Sequence, residues 1–267
     1  MTAPATLAVE DVSVRYGGNV ALDTVSLTVP EGRVTGLIGP NGAGKTTMLN
    51  ACSGTLRASG GRVLLFGTDM TTRPPAVRAR HGLGRTFQRM ELYDSLTVAE
   101  NVRMGREAAR LDRNPWHHLV STRQQRQEID EAAAEVLDLC GLVPLADRRA
   151  GALSTGQRRL VEFARALAGP YRILLLDEQA SGLDRHETAR FGEIVRAAVD
   201  RRGVGVLLVE HDVELVMEIC SHIYVLDFGE LIFEGTPPDT LASPAVRSAY
   251  LGSEEGLETA EHQAGVI

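Results

Sequence analysis

Hydrophobic and polar residues alternate over residues 7–29, with one interruption at Gly17-Gly18-Asn19. In the second half of this stretch, valine and leucine alternate with serine and threonine. A period of two places successive side chains on opposite faces of a strand, and glycine with asparagine is typical of the turn between two strands. The pattern predicts an antiparallel hairpin, and residues 60–67 predict a further hairpin strand.

Other stretches of the chain are apolar without alternation. Residues 173–176 and 206–209 are wholly apolar, and residues 34–38 are apolar except for Thr35. Strands that are buried on both faces of a parallel sheet have this appearance. Helical spacing separates them at residues 47–52, where Gly54 ends the pattern, and at about residues 186–202. This alternation of strand and helix predicts an α/β fold with a parallel sheet.

The middle of the chain, at about residues 90–155, has helical periodicity instead. A threonine three residues before Glu or Gln, at residues 97–100 and 122–125, is typical of a capping box at a helix start. Apolar residues then recur at helical spacing over residues 129–141. A helical insert therefore divides the α/β unit, and residues 223–235 predict further strands after it.

Composition excludes several classes of protein. The chain has 267 residues, of which 43% are hydrophobic, 24% charged and only 4% aromatic, with a net charge of −7. This balance disfavours binding to nucleic acid. Three widely spaced cysteines indicate neither a disulfide framework nor a zinc site. The apolar runs are too short to span a bilayer and no signal peptide is visible, so we expect a soluble, cytoplasmic protein.

Residues 39–47 read Gly-Pro-Asn-Gly-Ala-Gly-Lys-Thr-Thr and match the phosphate-binding P-loop pattern. Glycines let the backbone direct N–H groups at phosphates, and the following helix adds its positive N-terminal end. Lys45 is the only lysine in the sequence, and its compact ammonium can reach the β- and γ-phosphates. Thr46 offers a hydroxyl to Mg²⁺. The predicted nucleotide-binding residues here are Gly39, Asn41, Gly42, Gly44, Lys45, Thr46 and Thr47.

Two carboxylates, Asp177 and Glu178, follow the apolar strand at residues 173–176. An aspartate in this place can hold Mg²⁺, and a neighbouring carboxylate can polarise the water that attacks ATP. Taken alone, the pair is equally compatible with a solvated strand end. Beside a P-loop, a second nucleotide motif is the favoured interpretation.

Ser154 and Gln157 form a third capping box, with Gly156 between them. A helix start with a hydroxyl and a glycine can bind an anion, so the chain has two predicted phosphate-binding helix starts. One nucleotide does not need both from one molecule, whereas two chains packed head to tail would use them together. Taken alone, this segment is more often an ordinary helix cap.

These motifs follow the order of a known family. They are the P-loop, Gln88, Ser154, Asp177-Glu178 and His211. Over about residues 7–235 the chain resembles the ATP-binding cassette of ABC transporters. The resemblance implies that His211, otherwise a structural histidine, contacts the γ-phosphate and orients Glu178. It also implies that Gln88, otherwise a surface glutamine, contacts Mg²⁺ and the attacking water.

The resemblance implies further nucleotide contacts. Tyr16 resembles the aromatic residue that stacks on adenine, with a buried strand tyrosine as the alternative. Asp184 lies in Ser-Gly-Leu-Asp, which is similar to the loop that crosses the interface between two cassettes. The implied catalytic residues are Glu178, His211 and Gln88, and the implied metal ligands are Thr46, Gln88 and Asp177. The implied nucleotide contacts outside the P-loop are Tyr16, Ser154, Gly156, Gln157 and Asp184.

The family also implies an architecture and partners. We expect a P-loop NTPase (RecA-like) core at residues 7–88 and 156–235, which includes an N-terminal antiparallel β subdomain. A helical subdomain at residues 89–155 ends in the signature motif, and residues 236–267 form short helices and a polar tail. The expected cofactors are ATP and Mg²⁺. The expected partners are transmembrane permease subunits, a solute-binding protein and a second cassette, identical or paralogous, at the inner face of the membrane.

Two positions depart from the family pattern. Thr155 stands where the family usually has glycine, so we expect slower turnover at most. Gln179 replaces the proline that usually follows the catalytic glutamate. Since a proline restricts the residue before it to extended conformations, Gln179 removes that restraint. We expect Gln179 to act by relaxing the backbone of Glu178, with contacts of its own as the alternative.

Three segments resemble the uptake branch for branched-chain amino acids and urea or amides: the long insert around residues 105–127, residues 210–217 and the ending at residues 246–252. A lipopolysaccharide-export cassette is the second interpretation, and a soluble non-transport ABC ATPase or a small-molecule kinase are others. We expect the surface around Gln88, Tyr93 and the insert to dock a permease helix. Trp116 lies in that insert, where packing within the insert is an equal alternative.

Overall fold

The computed structural model describes residues 5–86, 92–108 and 123–251. Its strands are β1 (Ala5–Tyr16), β2 (Asn19–Pro30), β3 (Val34–Ile38), β4 (Gly60–Leu65), β5 (Thr68–Asp69), β6 (Leu83–Arg85), β7 (Ile173–Asp177), β8 (Gly205–Val209), β9 (His222–Asp227) and β10 (Glu230–Gly235). Its helices are α1 (Lys45–Ser53), α2 (Pro75–Arg80), α3 (Val98–Ala108), α4 (Arg123–Leu139), α5 (Thr155–Ala168), α6 (Arg185–Arg202), α7 (Val213–Ile219), α8 (Pro237–Ala242) and α9 (Pro244–Leu251).

An antiparallel sheet with the strand order β2-β1-β4-β5 contains the predicted hairpins. Val12 of β1 pairs with Val25 of β2, and Tyr16 pairs with Asn19, so the turn consists of Gly17 and Gly18 alone. The valines and leucines that face inward along both strands are fully buried, in agreement with the period of two. The predicted hairpin is confirmed.

A second sheet has the order β10-β9-β3-β8-β7-β6. Strands β6, β7, β8, β3 and β9 are parallel to one another, whereas β10 runs antiparallel to β9. The apolar runs predicted as parallel strands form β3, β7 and β8, which confirms that prediction. Strand β6 was not predicted because three residues with Gly84 at their centre have no visible periodicity.

The parallel sheet is covered on both faces. Leu174 and Leu176 of β7 pack with the helical residues of one core, while Leu175 faces a second core that includes α1 and the antiparallel sheet. Because neighbouring residues of a strand point to opposite faces, a sheet buried on both sides needs an uninterrupted apolar run. This arrangement brings the C-terminal ends of β3, β7 and β8 to one edge of the sheet.

In the described part of the helical segment, α3 and α4 pack against α5. The predicted capping box before α3 is present: the Thr97 N–H donates to Glu100 Oε2 at 2.7 Å, and the Glu100 N–H donates to Thr97 Oγ1 at 3.2 Å. Of the second predicted box, Thr122 lies outside the described residues. The predicted domain boundary at residue 155 coincides with the first residue of α5, which also contacts α6. The division into domains stays a prediction.

The C-terminal end of α1 is held by Arg78, whose side chain is almost fully buried. Its Nη1 donates to the carbonyl oxygens of Ala51 and Cys52, at 2.7 Å each. The last carbonyls of a helix have no partner within the helix and favour a cation. Arg78 therefore anchors the helix that follows the P-loop.

In the part of the chain that the structure describes, none of the helices combines the length and apolar character needed to cross a bilayer.

Candidate functional site

The P-loop connects β3 to α1 at the carboxyl edge of the parallel sheet. Gly44 lies at φ +104 at the N-cap of α1, and a Cβ there would lie 2.7 Å from the carbonyl oxygen of Ala21. Only glycine fits that conformation and that space. The loop thus brings its backbone close to β2 and leaves Asn41, Gly42 and Thr46 exposed at the helix start.

Lys45 lies against this loop. Its side chain is buried, and its Nζ donates to the carbonyl oxygens of Gly39 at 2.6 Å and Pro40 at 3.0 Å. Burial lowers the pKa of the Lys45 ammonium, while the nearby carboxylates of Glu178 and Asp177 raise it. The structure therefore brings the P-loop amine and both carboxylates of the second nucleotide motif to one place.

Asp177 is the last residue of β7 and only 3% exposed. Its Oδ2 accepts a hydrogen bond from Nη2 of Arg85 at 3.1 Å. Burial raises the pKa of Asp177, whereas the hydrogen bond and charge of Arg85 lower it. The carboxylate and the exposed hydroxyl of Thr46 are oxygen donors, which Mg²⁺ prefers. They are few enough to leave room for phosphate and water ligands, so these residues fit the ion.

Glu178 and His211 form a close pair. The Nε2 atom of His211 lies 2.6 Å from Oε1 of Glu178, although 33 residues separate them in sequence. The backbone N–H of Glu178 donates to the carbonyl oxygen of Val209 at 2.9 Å, which ties it to β8. Glu178 also lies at φ +50, a conformation that non-glycine residues rarely adopt and that is often found at functional sites.

The start of α5 has the predicted capping box. The Gln157 N–H donates to Ser154 Oγ at 3.2 Å, and the Ser154 N–H donates to Gln157 Oε1 at 3.2 Å. Ser154 is exposed, whereas Gly156 is buried so close to the carboxylate of Glu187 that a Cβ would overlap it. Asp184 caps α6, accepting a hydrogen bond from the Glu187 N–H at 2.8 Å. The signature segment and the Asp184 loop thus adjoin each other.

The remaining predicted residues have different outcomes. Tyr16 is 51% exposed, which excludes the alternative of a buried strand tyrosine. Thr47 is half-buried in the first turn of α1, and Thr155 is exposed. Gln88 and Trp116 lie outside the described residues.

The geometry combines a P-loop, a buried aspartate, a glutamate–histidine pair and a second capped helix start. The family description "ABC transporter" matches residues 22–181. The chain belongs to the ABC transporter family. As a member, it is an ATP-hydrolysing enzyme, and the predicted resemblance is confirmed.

Several transport ATP-binding proteins are similar in sequence to this ABC ATPase over almost its whole length. The high-affinity branched-chain amino acid transport ATP-binding protein BraF of Pseudomonas aeruginosa is 39% identical, over 92% of this chain and 97% of BraF. LivG of Escherichia coli, described in the same words, is 36% identical over the same shares. The probable LivG of Archaeoglobus fulgidus is 37% identical over 93% of this chain and 96% of that protein.

Solved structures of ABC cassettes have the same fold. MJ1267, an ATP-binding cassette of an ABC transporter in its ADP conformation, matches with a TM-score of 0.81 and 32% identity. The match covers 93% of this chain and 99% of MJ1267. Clostridium perfringens cbiO1, part of the transporter complex cbiONQ, matches with a TM-score of 0.79 and 25% identity, over 98% and 99% of the two chains. The predicted P-loop NTPase fold is confirmed.

The expectation that Gln179 acts only by relaxing this ABC ATPase's backbone is wrong. Its side chain is fully buried, and its Nε2 donates to the carbonyl oxygen of Asp177 at 3.1 Å. Its backbone N–H donates to the carboxylate of Glu210, a hydrogen bond that proline cannot make. Gln179 therefore connects the ends of β7 and β8. The sequence alone showed that the restraint of a proline after Glu178 is missing, but it did not show the hydrogen bonds of Gln179 with Asp177 and Glu210.

Glu210 is a residue of the site that the sequence reasoning did not single out. Its carboxylate is 3% exposed and accepts hydrogen bonds from the backbone N–H groups of Ala180, at 2.8 Å, and Gln179. It thereby holds the segment directly after Glu178. The available signal was an acidic residue between a buried apolar strand and His211.

Glu210 should make the stability of this ABC ATPase depend on pH. Burial raises its pKa to about 7, and the carboxylates of Glu178 and Asp212 add to the rise. The unfolded pKa is about 4.3. Between these two pKa values the folded protein keeps the proton of Glu210 while the unfolded chain loses it. The stability that Glu210 contributes is therefore fully present below the unfolded pKa and is lost as the pH rises through about 7. Between about pH 5 and pH 8, wild type should therefore lose a few kcal/mol of unfolding free energy relative to Glu210→Gln.

Urea denaturation of both proteins at a series of pH values measures this difference. Glu230→Gln, at an exposed position of β10, is the control and should follow the wild type at every pH. A constant difference between wild type and Glu210→Gln across the range would contradict the prediction.

Proposed function

We propose that this protein is the ATP-hydrolysing subunit of an ABC importer for branched-chain amino acids or a related amide- or urea-type solute. The observation that carries the chemistry is the 2.6 Å contact between Glu178 and His211, beside Lys45 of the P-loop. A structural cassette without activity would not need a glutamate in a left-handed conformation with a histidine against it.

ATP binds first through the P-loop. The N–H groups at the start of α1 and the ammonium of Lys45 hold the β- and γ-phosphates, while the exposed ring of Tyr16 stacks on adenine. Thr46, Asp177 and Gln88 would hold Mg²⁺, which neutralises charge that develops on the phosphates during transfer.

Glu178 then acts on the attacking water. As a donor, His211 Nε2–H holds one carboxylate oxygen of Glu178 and thereby fixes the orientation of that carboxylate. Water attacks the γ-phosphorus, Glu178 accepts its proton, and the bond to ADP breaks. In the proposed mechanism His211 also contacts the γ-phosphate and so links the nucleotide to the orientation of the base.

The signature segment acts on a second copy's nucleotide. In this arrangement Ser154, Gly156 and Gln157 of one cassette face the γ-phosphate bound to the P-loop of the other, and Asp184 lies along the interface. Two separate anion-binding helix starts on one chain, α1 and α5, support a head-to-tail pair. The second cassette is either an identical copy or a paralogue.

The solute and the membrane partners are inferred from the relatives. BraF and both LivG proteins are named for branched-chain amino acid transport, and each match covers over nine-tenths of both chains. We therefore place the protein on the inner face of the membrane, bound to permease subunits that receive solute from a binding protein.

Purification from the native membrane with its permease, followed by reconstitution in vesicles, tests this function. Radiolabelled leucine should enter the vesicles only with Mg²⁺-ATP on the cassette side, with urea and acetamide as the competing solutes to compare. Co-purification with the membrane subunits of a lipid exporter, and ATPase activity stimulated by lipid instead of solute, would contradict an importer.

The proposed permease-docking surface, Gln88 and Tyr93 with the helical insert, makes a separate prediction. The buried Asn101 fixes the backbone of Tyr93, accepting from its N–H at 3.0 Å and donating to its carbonyl at 3.1 Å, while the ring is 52% exposed. Exposed aromatic residues often anchor interfaces. Tyr93→Arg should leave ATP hydrolysis by the isolated subunit within twofold while reducing coupled uptake at least tenfold.

The measurement compares ATPase activity in solution with solute uptake in the reconstituted vesicles. Leu241→Arg, at a similarly exposed apolar position on α8, is the control and should leave both activities intact. Equal losses of hydrolysis and uptake in Tyr93→Arg would show that this residue serves the fold or the chemistry instead of docking.

A further inference from the structure

Arg85 connects the two nucleotide motifs from inside the protein. Its side chain is only 8% exposed. Its Nη1 donates to Asn50 Oδ1 and to Ser53 Oγ, at 2.8 Å each. Its Nη2 donates to Asp177 Oδ2 at 3.1 Å. One guanidinium thus joins the end of α1 to the end of β7.

The position of those partners matters because α1 is short. Asn50 and Ser53 lie in the same nine-residue helix as Lys45 and Thr46, and a helix rises only about 1.5 Å per residue. Fixing the last turn therefore also fixes the first turn, where the phosphates and the hydroxyl ligand lie. The other end of the Arg85 link is Asp177, the carboxylate of the second motif.

The chemistry of arginine suits this connection. A buried carboxylate without a partner is costly, and a planar guanidinium can donate in two directions from a fixed geometry. Lysine would keep the charge at this position but not the fork.

We infer that Arg85 is a positioning residue that sets the Asp177 carboxylate relative to the P-loop helix for Mg²⁺-dependent nucleotide binding. The inference rests on the proposed Mg²⁺-ATP chemistry of the site. Arg85 acts through Asp177 and through α1, not on the substrate. Its loss should therefore weaken the metal-dependent part of ATP binding and spare the part made by the P-loop backbone.

Binding of ATP by calorimetry, with Mg²⁺ and separately with EDTA, tests this role without any measurement of activity. Arg85→Met should weaken binding at least tenfold with Mg²⁺ and less than twofold with EDTA. Arg85→Lys should recover part of the Mg²⁺-dependent binding. Arg172→Met removes a surface pair of the same chemistry, with Glu31, and should behave as wild type in both conditions.

Ser53→Ala is the second variant, because it removes one bond at the α1 end and keeps the ion pair to Asp177. It should lower Mg²⁺-dependent binding threefold or more even if Arg85→Met fails to fold. Equal weakening with Mg²⁺ and with EDTA, or no weakening in either variant, would overturn the role of Arg85. A wild-type protein that binds ATP equally with and without Mg²⁺ would overturn the proposed metal chemistry instead, and this inference with it.

Discussion

Glu178→Gln should reduce steady-state ATP hydrolysis by at least tenfold, and by ~10²–10⁴ if Glu178 supplies the whole general-base effect. Binding of ATP should stay unchanged, because the proposed phosphate contacts are made by Lys45 and the P-loop backbone and not by Glu178. Glutamine has nearly the same shape and can still accept the hydrogen bond from His211, which lies 2.6 Å from Glu178. It cannot take a proton from water, so the loss should fall on the chemical step alone.

Turnover of radiolabelled ATP and filter binding on the same preparation measure the two effects. Glu193→Gln, on the exposed face of α6, is the matched control and should hydrolyse ATP at the wild-type rate. Hydrolysis above a tenth of wild type in Glu178→Gln would remove Glu178 from the role of base.

The Glu178→Gln protein should also form a pair of cassettes when Mg²⁺-ATP is added, because unhydrolysed ATP should then remain at the proposed interface. The first N–H groups of a helix have no partner within it, and α5 offers such a start with Ser154 exposed at its cap. An arginine side chain at the start of α5, as in Ser154→Arg, should block this surface sterically. It should prevent the two cassettes from pairing while ATP still binds to the P-loop.

Light scattering with and without Mg²⁺-ATP reports the mass, which should double for Glu178→Gln and stay that of one chain when Ser154→Arg is added. Thr72→Arg, at an exposed hydroxyl in the segment between β5 and α2, is the control and should leave pairing intact. A single chain at saturating ATP would contradict a homodimer, and addition of the paralogous cassette then tests the heterodimer.

Most helices and strands could be predicted from the sequence because a buried face places apolar residues at a regular spacing along the chain. The β1–β2 hairpin alternates, and β7 and β8 are uninterrupted apolar runs, since each is covered on one or both faces. Strand β6 could not be predicted because it depends on tertiary contacts. It pairs with β7, and a Cβ at Gly84 would meet the ring of Tyr171. No local pattern encodes such packing.

The candidate site also has features that the sequence predicts and features that it does not. Motif order predicted that Glu178 and His211 belong together, and the structure brings them into contact. The contacts of Gln179 and Glu210 depend on two strand ends lying side by side, which no spacing within one motif can indicate. Buried polar groups need partners, but which partners they find is decided by the tertiary fold.

Lys45 is both the single lysine of the sequence and buried, and this has a practical consequence. The sequence contains no other side-chain amine, and this one lies on the carbonyls of Gly39 and Pro40. A reagent that modifies lysine therefore has one side-chain target, so the extent of labelling is a direct measure of how accessible the nucleotide loop is. Likewise, Lys45 is the single side chain available for lysine acetylation, and loss of its charge should weaken the proposed contact with phosphate.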